Sequence, residues 1–123
     1  MSPFNIPDIF KKYGGVLGKG ALAEIAPFLF KGALVEILKG TTVQGASRWV
    51  EKKVNLWDII EPQHRESLKR LSIVGDINWL TADWIIQAIK DDHPALASLF
   101  LGWKKANNWL EKQVEIIKQE VQE

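Results

Sequence analysis

Leu96, Trp103, Leu110 and Ile117 recur at seven-residue intervals, and Phe100, Asn107, Val114 and Val121 recur beside them. This spacing draws one apolar stripe along a helix in the manner of an a and d seam, so it predicts a long amphipathic helix over 94–120. At 1.5 Å per residue that helix spans roughly 40 Å, against a radius of about 14 Å for a chain of this size, so it must cross the molecule or protrude. Leu99, Ala106, Trp109 and Ile116 widen the apolar surface, as in a bundle helix with more than one contact face. Asn107, the one polar residue at an a position, reads as a register pin between helices. Its alternative is an amide near solvent or bonded to a loop of its own chain.

The remaining residues follow the same 3.6-residue period. Over 21–39, Leu22, Ala23, Ala26, Leu29, Phe30, Ala33, Leu34, Ile37 and Leu38 share one half of a helix wheel, with a bend or break expected near Pro27 and a left-handed cap at Gly40. Thr41-Thr42-Val43-Gln44 has the form of a capping box and predicts a second helix over 43–60, ended by Glu61-Pro62. Pro62 opens a third over PQHRESLKRLS, stopped by Gly75. Thr81 and Asp83 open a short fourth carrying Trp84, Ile85, Ala88 and Ile89, and His93-Pro94 separates it from the last. Before all of these, Asn5 caps a short helix over 6–13, and the glycines of GGVLGKG predict a loop. No run of strand period is long enough to pair.

These elements define an all-α, single-domain bundle of five to six helices over 1–123: a short helix and Gly-rich loop in 1–20, bundle helices in 21–93, and the long helix in 94–120. A chain of this length can bury roughly two-thirds of its unfolded surface in one core. It has no cysteine, which removes thiol catalysis and Cys-based zinc sites and gives the cytoplasm as the expected compartment. Sixteen Lys and Arg against fifteen Asp and Glu leave a net charge of +1, spread over both halves, so no polyanion-binding field follows from the total. The opening MSPFNIPDIF lacks the pattern of a secretory signal, and the apolar stretch over 21–38 is interrupted by Glu24, Pro27, Lys31 and Glu36, a poor membrane span.

Sites of chemistry are hard to build from these residues. GGVLGKGA falls short of a phosphate-binding loop, because three residues rather than four separate Gly14 from Gly18 and Gly20 stands where a Ser or Thr must bind Mg²⁺. Glu61 and His64 have the Glu-x-x-His spacing of di-iron bundles, but Lys90 occupies the matching place before His93. Asp91-Asp92-His93 reads as a helix cap, and the serines lack a nucleophile-elbow context. No catalytic residue, metal or cofactor is therefore assigned.

The expectation is a non-enzymatic protein–protein interaction or assembly module acting through the apolar and Trp face of the C-terminal helix: Leu96, Phe100, Trp103, Asn107, Trp109, Leu110, Val114 and Ile117, with Trp49 beside them. Six tryptophans support it, since indole is enriched at binding hot spots. Trp49 and Trp109 lie off the main stripes, beside Arg48, Lys52 and Lys53 in one case and Lys105, Asn108 and Lys112 in the other. The partner is a second copy, forming a homo-oligomer, or another helical protein. One alternative is a DNA-binding regulator using Arg65, Lys69 and Arg70 before the Gly75 turn, although the following helix offers three Asp and one Lys to the phosphates. The other is a small ligand-binding bundle with a pocket lined by Trp79, Trp84 and His64. A membrane-surface role for 21–38 ranks lower, as its polar face carries as many Glu as Lys.

Overall fold

Threonine starts two of the helices and a left-handed residue ends two of them, much as the local sequence dictates. The structure is a computed structural model that describes residues 19–73 and 77–122. Its α-helices are α1 (Lys19–Leu38), α2 (Val43–Glu51), α3 (Leu56–Ile59), α4 (Pro62–Ile73), α5 (Ala82–Ile89), α6 (Pro94–Gly102) and α7 (Lys104–Gln122), with a 3₁₀ turn at Ile77–Trp79 and no strand among the described residues. The chain is thus the expected all-α bundle with a long C-terminal helix. The short helix expected over 6–13, the glycines at 14, 15 and 18, and the Gly75 turn lie outside the described residues.

Gly40 ends α1 at φ 79°, and the Thr41 amide donates to the Leu38 carbonyl at 2.9 Å. Glycine takes this left-handed conformation without Cβ strain. The N-cap of α2 is Thr42, whose Oγ1 accepts from the Gly45 amide at 2.9 Å, one residue later than the capping-box pattern predicts. Thr81 caps α5 as expected, accepting from the Trp84 amide at 3.0 Å. Of the bend or break expected near Pro27, the break does not occur: α1 runs through Pro27 as one helix.

Two predicted helices each divide, so the bundle has more and shorter pieces than the periodicity suggests. The helix expected over 43–60 stops at Glu51 in a Schellman arrangement: the Lys53 amide donates to the Val50 carbonyl at 3.2 Å and the Val54 amide to the Trp49 carbonyl at 2.9 Å. The left-handed position is filled by Lys53 at φ 55°, not by a glycine, which is why no stop signal was visible there. A lysine in that conformation carries strain of about 1–2 kcal/mol. Lys53→Gly should raise the unfolding free energy by up to about 1 kcal/mol, because relief of strain is partly offset by the freer unfolded chain. Urea denaturation measures this, and a net loss would mean the Lys53 stem contributes packing that outweighs the strain.

The second division corrects the unbroken helix expected over 94–120. Gly102 ends α6, Trp103 is extended at φ −124° and ψ 107°, and α7 begins at Lys104. The cause lies in the phase of the apolar stripe. Leu96, Ala97 and Phe100 are buried in α6, while Ala106, Trp109, Leu110, Gln113, Val114, Ile117 and Val121 are buried in α7. On one straight helix the centres of these two sets would be rotated apart by about 100°. A single straight rod cannot aim both at one core, and an extended residue after a glycine re-aims the second.

Helix α7 runs through the middle of the bundle and packs against α2, α3, α4, α5 and α6, while α1 lies over α4 and α5. Leu110, Val114, Ile117 and Val121 meet Leu56, Trp57, Ile60, Leu68, Ile85, Ile86 and Ile89 in one continuous core with Leu96 and Phe100. Phe30 of α1 packs edge-on against Trp79 and Trp84, with ring centroids 5.6 and 6.0 Å away, and those two indoles lie 4.9 Å apart. Val43, expected in the core, is exposed at the first position of α2.

Candidate functional site

Trp109 and Gln113 are four residues apart, so they share one face of α7, the face turned toward the connection between α2 and α3. The Trp109 indole Nε1 donates to the Val54 carbonyl at 2.8 Å, and its ring stacks on Phe100 with centroids 6.0 Å apart and planes 17° from parallel. Gln113 is 1% exposed, and its Oε1 accepts from the Leu56 amide at 2.8 Å. That amide is one of the orphan donors in the first turn of α3, and the N-cap residue Asn55 makes no side-chain bond to that turn. A glutamine from α7 therefore caps α3 across the core. Between them the two side chains hold the connection where it enters α3, at Val54 and Leu56.

Holding the connection in this way opens a cleft of about 240 Å³ beside it, lined by Val50, Lys53, Asn55, Lys105, Asn108, Trp109, Lys112 and Gln113. Trp109 and Gln113 form the inner wall. Lys105, Asn108 and Lys112 follow at i, i+3 and i+7 along α7 and make one rim, while Lys53 and Asn55 make the other. Three lysines and no carboxylate line the cleft. Outside the lining, Glu51 meets Lys105 Nζ at 2.9 Å, with 56% and 53% of the two side chains exposed. An ion pair so exposed contributes about 0–1 kcal/mol. A second hollow, of about 200 Å³, lies among Phe28, Lys31, Gly32, Val35 and Asp92 and carries one charge of each sign.

The residues expected to form an interaction seam are mostly spent on the chain's own core. Leu96, Phe100, Leu110, Val114 and Ile117 are buried against neighbouring helices. Trp109, expected off the stripe, is 7% exposed. Trp49 and Trp103 are half-buried at the margin of the core. Asn107 Nδ2 donates to the Phe100 carbonyl at 3.4 Å, across the break between α6 and α7. That contact goes to an orphan carbonyl at the end of α6, the loop-bonded alternative for this amide.

Arg65 Nε donates to the Ile60 carbonyl at 2.9 Å in a part-buried setting, Lys69 is half-buried, and the Arg70 side chain lies outside the described residues. The helix that would enter a DNA groove, α5, buries Ile85, Ile86, Ala88 and Ile89 in the core. Trp79 and Trp84 pack on each other and on Phe30. His93 is the N-cap residue of α6 and makes no side-chain cap bond. Among the described residues no three His, Asp or Glu side chains stand close enough to share a metal ion, and no helix is long and apolar enough to cross a membrane.

In the sequence Lys53 stands near Trp49, and Lys105, Asn108 and Lys112 near Trp109, as two separate flanks, and nothing local marks Gln113. The missing signal is the turn over 52–55, which brings the two flanks onto one cleft. Asn55 ahead of Leu56 was the available clue, a residue type that commonly opens helices.

Comparison of the chain with protein-family models, with curated proteins and with solved structures gave no significant match.

Proposed function

We propose that the chain is a non-enzymatic, cytoplasmic helical interaction module that docks a partner protein on the side where α2 meets α7. The observation that supports this is the Trp109-walled cleft, a small recess with an aromatic wall and rims of lysine and asparagine. Binding hot spots favour such a place, where an indole sits in a packed recess surrounded by polar groups. At about 240 Å³ the cleft is smaller than the roughly 300–1,000 Å³ usual for small-molecule sites, so it suits one or two side chains of a partner. The C-terminal helix remains the functional element, acting through its 105–112 face instead of the apolar seam.

With the seam occupied by α2 to α6, the protein should scatter light as a monomer across a wide concentration range. A photo-crosslinking residue at Asn108 should capture a discrete partner in cells, while one at Gln87, exposed on α5 and outside the cleft, should not. Equal capture at both positions, or none at 108, would remove the cleft from consideration, and a concentration-dependent dimer would return the function to self-assembly.

A further inference from the structure

We infer that the cleft receives an acidic peptide segment, in which one apolar side chain sits against Trp109 and carboxylates on either side meet the lysines. The inference rests on the docking reading above and names the chemistry of the partner.

Charge is the first ground. The whole chain is nearly balanced at +1, yet the cleft gathers Lys53, Lys105 and Lys112 and no lining carboxylate. Lys105 pairs with Glu51 at 2.9 Å, while Lys53 and Lys112 form no ion pair with another described residue. Lys53 sits there at φ 55°, where glycine would be less strained.

Spacing is the second. Lys105 and Lys112 are seven residues apart on α7, about 10 Å along its axis. An extended peptide covers that distance in about three residues. Five residues with a central apolar anchor therefore reach both lysines, and Asn55 and Asn108 supply donors and acceptors for the peptide backbone between them. The second hollow offers no such preference, with Lys31 and Asp92 opposed in one lining.

The test uses the full chain and three fluorescein-labelled peptides: Asp-Glu-Phe-Glu-Asp, its amide isostere Asn-Gln-Phe-Gln-Asn, and Lys-Lys-Phe-Lys-Lys. The acidic peptide should bind saturably and move the Trp109 indole resonance. The isostere should bind at least tenfold more weakly, and the basic peptide should not bind. Raising the salt from 0.1 to 1 M shortens the screening length from about 10 to about 3 Å and should weaken the acidic complex on the order of tenfold. The Lys53→Glu, Lys112→Glu double variant should lose at least tenfold in affinity with an unchanged melting temperature. The milder Lys112→Gln should lose roughly two- to fivefold.

Equal binding of the amide isostere, or displacement of the acidic peptide by inorganic phosphate at equal concentration, would overturn the inference. If the acidic peptide is silent while Asn108 still crosslinks a partner, the acidic chemistry is wrong and the docking surface stands. If both are silent, the docking surface falls with it.

Discussion

Trp109→Ala should lower the free energy of unfolding by about 3–5 kcal/mol, the range for truncating a packed aromatic side chain. Three losses combine there. The indole leaves a cavity against Phe100, its Nε1 no longer donates to the Val54 carbonyl at 2.8 Å, and the connection over 52–55 loses one of its two anchors. Trp109→Phe separates them, because it keeps much of the packing and removes the hydrogen bond. It should cost only about 1–2 kcal/mol. Guanidinium unfolding of both variants supplies the measurement. A Trp109→Ala protein within 1 kcal/mol of the parent would mean that the ring is not held in the core as described.

Leu110→Ala and Ile117→Ala should each cost about 2–5 kcal/mol, since both side chains are fully buried where α7 meets the surrounding helices. The important part of the result is its form. If these residues belong to the chain's own core, the loss is the same at every protein concentration, because no partner subunit enters the equilibrium. Were they an intermolecular seam, the melting temperature would rise with concentration in the parent and the variants would shift that dependence. Thermal melts over a hundredfold range of concentration distinguish the two.

The fold class was legible because helical period and caps are local properties. Gly40, Thr81 and the stripe of α1 act within a turn or two of themselves, and sequence carries such signals directly. The breaks were not legible, for two different reasons. At Lys53 the chain adopts the left-handed conformation with a residue that does not advertise it. At Trp103 the heptad spacing of Leu96, Trp103 and Leu110 continues straight through the interruption, so a perfect local pattern hides a change of direction that only the packing of both halves requires. The apolar breadth noted around Leu99, Ala106 and Trp109 was the sign that one stripe could not hold.

The candidate site was half legible. Its rim residues stood out as cationic neighbours of two tryptophans, but their meeting depends on the Gln113 and Trp109 bonds to a connection more than fifty residues away in sequence. Contacts of that reach leave no mark on periodicity. Asn107 teaches the same lesson in reverse. An isolated amide at an a position looks like a device for choosing partners, yet here it donates to the Phe100 carbonyl of its own chain.

That α7 occupies the centre of the bundle has a consequence for how the protein is made. The helices α2 to α6 emerge from the ribosome before the one they pack around, and the Leu56 amide waits for a glutamine 57 residues downstream. At roughly 5–20 residues per second that interval lasts about 3–11 s, during which the apolar faces of the nascent helices have no completed core to enter. Synthesis of this chain therefore includes a window in which chaperone holding and aggregation compete, closing only when α7 has been released.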